Sequence, residues 1–533
     1  MTDPWKQAFL CESKVAEIMA KQADRGVRVN QVKAGFYIHV LNEKILHLDS
    51  IAVPQMPKMM EKGCVATAPY LKTGALKKNV VDWFEKVGFE FEVDGPFCGI
   101  NWVPFDMGKT ERIKEHLVTL GWKPDTWKFK DLTMHASIKR PLNPDEQKAK
   151  IEKYMEELRN TNLGKLRMQL LGLKPGTMTV RQVKEFLLKK RKVPAGAKLT
   201  EASLSQFEGG EIGTVLKQRL TLAHRRSLIQ GVRDLVRPDG RIEARAISIG
   251  TPTMRMRHAG VVNIPKAAKY VLFGAHCRDL FESSYCEWDQ NPVGIVYHRI
   301  DDKGKDHRTF IPAGRRVLLG YDGAGLELRM LAHYVNDAEY TRQILEGDIH
   351  SFNQALAGLP TRDDAKTFIY AFLYGAGDQK IGDIVGGTKQ DGARLKAQFL
   401  ESLPALQALI DSVRAEGENG YVIGIDGRKL WLRKDDRGRP MVHKALNLLL
   451  QGAGAVVMKY AMVLLDEAIE AEGLDAWKVI DMHDEGQYDV LPRDVKRVRE
   501  LMDICVKKAG ELLGMNIPLA SDSIAGPSWK YTH

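Results

Sequence analysis

Arg362, Lys366 and Tyr370 recur at intervals of four within residues 361–375. On a helix that spacing stacks the three side chains along one face. Pro360 precedes Thr361, and Thr361-x-x-Asp364 fits a variant of the capping box, so a helix is expected to begin there with Arg362 in its first turn. The positive end of a helix favours anions. Two cations and an aromatic plane along such a face suit a triphosphate and a nucleobase. Taken alone, Arg362 and Lys366 also fit an ordinary solvated face.

The rest of the composition narrows the setting. A chain of 533 residues is too long for one small core and predicts a few domains or one multilobed enzyme. Its formal charge of +11 favours a polyanionic partner, nucleic acid above all. The six cysteines (Cys11, Cys64, Cys98, Cys277, Cys286 and Cys505) are scattered with no Cys-x-x-Cys pair. This argues against a zinc ribbon or a disulfide framework and fits a reduced, cytoplasmic chain. The N-terminus has no signal pattern. The most apolar run, 445–465, contains Asn447, Gln451 and Lys459, which reads as a buried helix rather than a membrane span.

Along the chain, residues 12–50 read as mainly helical and 51–105 as irregular. Helices are expected over 111–120, 145–159 and 212–236, and after a Thr179 cap with Val180, Val183 and Leu187 on one side. The run Lys189-Lys-Arg-Lys192 reads either as a solvated face or as a phosphate contact. Residues 316–321 form a short buried strand, followed by a glycine-rich turn and a helix over 326–334. Residues 339–420 read as helical with a glycine-rich break at 375–387. Strands over 478–482 and 485–491 meet at His483-Asp484 as a β-hairpin. Gly108-Lys109-Thr110 looks like the end of a phosphate-binding loop, but the required earlier glycine is Val103.

Asp322 ends the buried strand before Gly323-Ala-Gly325, and Asp484 lies at the hairpin tip beside Glu485 and close to Asp481. Singly, each reads as a turn or cap residue. Together with the cationic helix they read differently. Phosphoryl transfer needs charge neutralised on a triphosphate and on an attacking hydroxyl, which two magnesium ions roughly 3.5–4 Å apart can do. Hard cations prefer carboxylate oxygens. Two aspartates from separate strands are a minimal ligand set, and a Lys and an Arg would balance the phosphates.

These residues carry a resemblance. Asp322-Gly-Ala-Gly-Leu-Glu-Leu-Arg-Met-Leu-Ala-His333 resembles motif A of the family A (bacterial polymerase I-like) DNA polymerases. Arg362-x3-Lys366-x3-Tyr370-x3-Tyr374-Gly375 resembles their motif B, and His483-Asp484-Glu485 their motif C. Gly347-Asp-Ile-His350, Asp426-Gly-Arg428 and Ala445-Leu-Asn-x3-Gln451-x-Ala-Gly454 also match. The ending Gly526-Pro-Ser-Trp-x3-His533 is similar to that of short-tailed bacteriophage replicative polymerases. The resemblance is strong from about Gly240 onward and faint before it.

The resemblance implies an α/β, helix-rich right-hand polymerase fold. Residues 1–236 would hold the N-terminal region and helical thumb, 237–335 the first part of the palm, 336–440 the fingers and 441–533 the second part of the palm. It implies template-directed, primer-dependent DNA synthesis. Asp322 and Asp484 would ligate two Mg2+ ions, with Mn2+ as a substitute and the Gly323 carbonyl assisting. Glu485 would tune the site. Arg362, Lys366 and His350 would hold the dNTP phosphates, and Tyr370 would stack near the base and sugar. Glu327 with Tyr370 would exclude a 2′-hydroxyl. Tyr374 would stack on the template side, and Arg428 is expected among the DNA contacts. Arg255, Asn447 and Gln451 would touch the minor groove, whose acceptors A·T and G·C pairs share, and His483 would approach the primer terminus.

Two departures stand out. Thr253-Met-Arg255 replaces the family's usual Thr-Gly-Arg, so the backbone at Met254 is in question. The chain starts where the thumb would start, and it is expected to lack 3′→5′ exonuclease activity. Segments of about 51–100 and 133–197 read as thumb insertions. They would recruit a processivity factor or a separate exonuclease, grip DNA, or be lineage-specific padding. The partners implied are primer–template DNA and dNTPs, with no membrane, in the cytoplasm of a bacterial host if the protein is a phage's. A non-catalytic DNA-binding accessory is the first alternative, against which the intact Asp322, Asp484 and Lys366 speak. A single-chain RNA polymerase is the second, against which Glu327 speaks.

Overall fold

The computed structural model describes all residues except 1–3, 89–91, 136–139, 174–178, 191, 201–202, 205–206, 208, 288–292, 301–304, 436 and 533. His533 and Arg191, both singled out in the sequence, lie outside the described residues. The chain divides into two compact units, one formed by 1–37 with 228–533 and the other by 38–227.

The first unit is built on a four-stranded antiparallel sheet. Its strands are β1 (Val317–Gly323), β2 (Ala476–Met482), β3 (Glu485–Val490) and β4 (Ser521–Gly526), in spatial order β2-β3-β1-β4. Val317, Leu318 and Leu319 of β1 are fully buried. Every residue of β3 is buried, which is why neither strand shows a clean alternation in sequence. The helices that matter for the site are α1 (Pro4–Arg25), α2 (Leu326–Val335), α3 (Ile349–Ala357), α4 (Arg362–Leu373), α5 (Ala445–Ala471) and α6 (Val495–Leu512).

Helix α5 is the core of this unit and packs against α6, α1 and α2. It is apolar around most of its circumference, as a helix wrapped by others must be. With the short 3-10 turn before it (Val442–Ala471) it is the one described helix long and apolar enough to cross a membrane, and 78% of its apolar window is buried inside the fold. Gly454 lets α2 approach: a Cβ there would lie 3.3 Å from Leu326 Cδ2. Helix α4 begins as the sequence predicts, with the Thr361 hydroxyl accepting from the Asp364 amide at 3.1 Å. The Asp364 carboxylate accepts from that same hydroxyl at 2.7 Å, so it does not return to the cap's own amide.

The N-terminal helix departs from the sequence reading, which grouped 1–236 together. Cys11, Val15, Ile18 and Met19 of α1 join the core of the first unit. Glu12, 8% exposed, accepts from Lys459 Nζ of α5 at 2.8 and 3.0 Å and from Arg428 Nη1 at 2.5 Å. Arg428 also holds Asp426 through Nε and Nη2. These are buried charges that compensate one another, and a period count along one helix cannot reveal them.

Among its described residues, the second unit holds three small apolar clusters. The region 51–105, read as irregular, in fact contains an antiparallel strand pair, Met59–Ala66 with Phe97–Val103, and a helix, Lys78–Val87. The strand signal was broken by Gly63 and Gly99. Both are required by close approach of the Trp83 ring, which a Cβ would meet at 2.1 Å and 2.5 Å. Thr179 caps the helix Val180–Lys189 as expected, in a full capping box with Gln182. In the first unit, the glycine-rich break at 375–387 contains a further short helix, Asp378–Ile384.

Breaking a buried ion pair leaves an uncompensated charge and costs about 3–5 kcal/mol. Glu12→Gln is therefore expected to lower the stability of the first unit by about that amount in urea unfolding. Adding Lys459→Met should recover part of the loss.

Candidate active site

The antiparallel register decides the centre of the site. Asp322, next to last in β1, stands directly opposite Glu485 of β3 on one side and Asp522 of β4 on the other. Met482 of β2 pairs with the same Glu485, so the turn His483-Asp484 closes the β2–β3 hairpin at this sheet end. Directly opposed residues in an antiparallel pair are ~4.5–5.5 Å apart at Cα. Asp484 is therefore one step along the chain from the cross-strand partner of Asp322. His483 takes the left-handed conformation, φ 65°, which makes the turn this tight.

Asp484, His483, Glu327, Arg255 and Gln451 line one small cavity with the apolar residues of α2 and α5. Glu327 sits in the first turn of α2. Its Oε1 accepts from the Tyr374 hydroxyl at 3.1 Å and lies 3.4 Å from Arg255 Nη2. Burial, and then the carboxylate of Glu327, raise the Asp484 carboxyl above the ordinary aspartate range, with Arg255 opposing them. Burial and the same cluster of acids push the Tyr370 phenol up to about 12. The sheet end thus carries negative charge that the protein's own cations do not fully balance. Its donors are hard oxygens, with no thiol among them. Among the described residues, no group of three or more His, Cys, Asp and Glu side chains forms a closed metal cage.

The α3–α4 pair supplies the cationic side. Lys366 is exposed and, among the described residues, no carboxylate lies within ion-pair distance of it. Burial, then Arg362 and Lys366, hold the His350 imidazole below its usual range, and its ring lies 6.3 Å from that of Tyr370. Arg362, Lys366 and Tyr370 share one face of α4, as the spacing predicts, and His350 of α3 joins them. Arg362 differs from the expectation of a free cation. Asp348, the cap of α3, grips it at 2.7 and 3.1 Å.

Several expected site residues lie elsewhere or face away. Arg428 is 5% exposed within the Glu12–Asp426 network, so it does not present a guanidinium to a DNA surface. The Glu485 carboxylate accepts from Trp529 Nε1 and from Gln487 Nε2 at 2.8 Å, and Arg278 lies 3.6 Å away. It anchors the C-terminal segment to the sheet. Asn447 donates to the Leu373 carbonyl at 3.1 Å and ties α5 to the end of α4. Tyr374 is 46% exposed. Met254 takes φ 57°, a left-handed residue where the family's glycine is expected, and its sulfur lies 3.5 Å from Arg428 Nη1.

Sequence reading missed the support beneath His483. His258 lies 3.1 Å from Asp481 Oδ1, Lys478 lies 3.2 Å from Asp481 Oδ2, and the His258 ring meets the His483 ring edge-on at 5.4 Å. Asp481 was noted only as a neighbour of the turn. Its place inside a mostly apolar strand that also carries Lys478 was the available signal, because a buried carboxylate needs a partner.

A carboxyl whose folded pKa is raised costs stability as pH rises above the unfolded value, with the full cost reached above the raised folded value. Below the unfolded aspartate pKa both states are protonated and the cost vanishes. In metal-free buffer, Asp484→Asn is therefore expected to raise the urea midpoint at pH 7. The gain should disappear as the pH falls through the ordinary aspartate range, and a denaturation series against pH checks it.

The sequence pattern described as DNA polymerase family A matches residues 145–531. The chain is 40% identical to the DNA-directed DNA polymerase of Escherichia phage Phieco32, covering 100% of both chains. It is 34% identical to that of Escherichia phage T7, over 56% of this chain and 42% of the T7 protein. Among solved structures it is similar to the POL domain of Pol1 from M. smegmatis, in complex with DNA primer-template and dNTP. That likeness has a TM-score of 0.53 at 19% identity, covering 72% of this chain and 66% of that one, and it bears on the fold. With a carboxylate-bearing sheet end facing a cationic helix, and with these relatives, the chain belongs to DNA polymerase family A.

Proposed function

We propose that this chain extends a DNA primer along a template, the primer 3′-hydroxyl attacking the α-phosphate of a dNTP. The observation that carries the reading is the pairing of Asp322 with the residue next to Asp484 across β1 and β3. It brings two carboxylates to one sheet end. Asp322, Asp484 and the Gly323 carbonyl would hold two magnesium ions, or manganese in their place. Bound there, such ions lower the pKa of an attacking hydroxyl and neutralise the leaving group. The raised carboxyl of Asp484 supports this, since an uncompensated carboxylate is what a hard cation relieves.

The remaining roles belong to side chains. Lys366, with no carboxylate partner among the described residues, balances phosphate charge. His350 and Arg362 assist, and Arg362 must exchange Asp348 for the ligand. Tyr370 offers its ring to the base and sugar. Glu327, held by Tyr374 and Arg255, fills the space a 2′-hydroxyl would need. Arg255 and Gln451, on the same cavity wall as Asp484, face the primer–template end, with His483 at the primer terminus. The DNA and dNTP bound by the M. smegmatis POL domain support the choice of ligands. In this reading 237–335 and 441–533 form the palm and 336–440 the fingers, with α1 part of the palm. The phage relatives support action inside a bacterial host.

Asp322→Ala and Asp484→Ala are each expected to lower primer extension by roughly 10²–10³-fold or more, the scale of one lost preorganised electrostatic group. Full activity in either would refute the reading. Glu327→Ala is expected to raise the ratio of NTP to dNTP incorporation by roughly 10-fold or more, because a steric filter of this size is worth ~1–3 kcal/mol. Single-nucleotide incorporation with matched dNTP and NTP checks it.

A further inference from the structure

The charge of this protein is not spread evenly. Residues 38–227 contain 33 Lys and Arg against 22 Asp and Glu, so this unit holds the whole +11 of the chain, and the other unit is neutral. Within 139–198 the count is 16 basic against 6 acidic. Four of those six acids are already engaged, Glu185 with Arg181 among them. Glu157 takes Lys130 and Arg167, Glu152 takes Lys184, and Glu146 takes Arg140. Lys128, Lys189, Lys190, Lys192 and Lys198 are exposed, and among the described residues no carboxylate lies within ion-pair distance of them.

These lysines gather around one hairpin. Strand Trp127–Asp131 pairs with strand Lys192–Ala197, and helix Val180–Lys189 leads into the second strand. The register sets Phe129 opposite Pro194, two residues from Lys192, so Phe129 and Lys192 share one face. The other face carries Val193, buried, and Lys130, which turns to Glu157. Phe129 is 63% exposed and, among the described residues, belongs to no apolar cluster. A large aromatic ring left in water, on the same face as a lysine that no described carboxylate pairs, contributes little to holding this unit together.

We propose that this hairpin, with the end of the helix before it, is a binding site for single-stranded DNA. Lysines track phosphates, and an exposed ring stacks on a base, which single strands offer and duplexes hide. An acidic peptide would use the lysines but leave the ring unused. The site lies wholly within residues 38–227 and needs nothing from the Asp322–Asp484 end.

The test is fluorescence anisotropy of the full chain with a labelled oligothymidylate of about thirty residues, titrated at several salt concentrations. Each single-strand phosphate contact contributes ~0.7 to the salt slope. The triple variant Lys189→Ala, Lys190→Ala, Lys192→Ala is expected to bind more weakly, with a slope shallower by about 2. Phe129→Ala is expected to weaken binding roughly 5- to 150-fold, the range of one lost base stack, with an unchanged slope and unchanged affinity for a blunt duplex. Asp322→Ala should bind the oligothymidylate like the parent chain, so failure of synthesis and failure of this site are separable. Parent-like binding by both hairpin variants would overturn the proposal. So would an equal loss on blunt duplex in Phe129→Ala, or displacement of the oligothymidylate by polyglutamate as readily as by unlabelled strand.

Discussion

The site depends on the register between β1 and β3. Side chains alternate across a strand, so a slip of one residue would turn Asp322 to the opposite face of the sheet and separate it from the hairpin tip. Several features pin that register. Leu318 and Leu319 lie on opposite faces and are both fully buried, so a slip would force both closely packed faces to repack. Gly320 admits no side chain, because a Cβ would stand 2.2 Å from the Thr532 carbonyl and 2.4 Å from Gln487 Nε2. Glu485, directly opposite Asp322, is fastened by Gln487, Trp529 and Arg278. The residue beside the site thus fixes the strand that presents Asp484, and the C-terminal segment is part of how the site is held.

The sheet end is electrostatically unfavourable to the bare protein. Asp484 is raised by burial and by Glu327, and Glu327 is restrained by Arg255 and Tyr374. Acids crowded in this way tend to occur where a cation or a reaction uses them. The charges that serve the fold behave oppositely. Glu12, Arg428, Asp426 and Lys459 are buried and mutually paired, as are His258, Asp481 and Lys478. Compensation distinguishes a structural charge from a functional one here better than burial does. Arg428 looks like a DNA ligand in sequence and proves to be a strut, while Lys366 keeps its charge available.

Legibility followed the range of the interactions involved. The caps at Thr361 and Thr179, the i, i+4 face of α4 and the hairpin at His483-Asp484 are local. Each was readable because its partners lie within a few residues. The strands Met59–Ala66 and Phe97–Val103 were not, since glycines placed there for the Trp83 ring erase the alternation that marks a strand. The helix Asp378–Ile384 was hidden by glycines that form its borders. The position of α1 was invisible, because what holds it is a carboxylate meeting cations 416 and 447 residues away.

By itself the sequence determined which side chains carry chemistry and in what order. It specified the helix that lines up Arg362, Lys366 and Tyr370, the two aspartates at strand ends, and the family to which their spacing belongs. Those are properties of residue type and local period, which need no distant partner. Only the tertiary structure decided which of the named groups are free to act. It drew Arg362 to Asp348, sank Arg428 beside Glu12, turned Glu485 toward Trp529, and set Phe129 in water near exposed lysines. The reason is that a charged or aromatic side chain has the same identity whether satisfied or not. Its availability depends on neighbours that only the folded chain assembles.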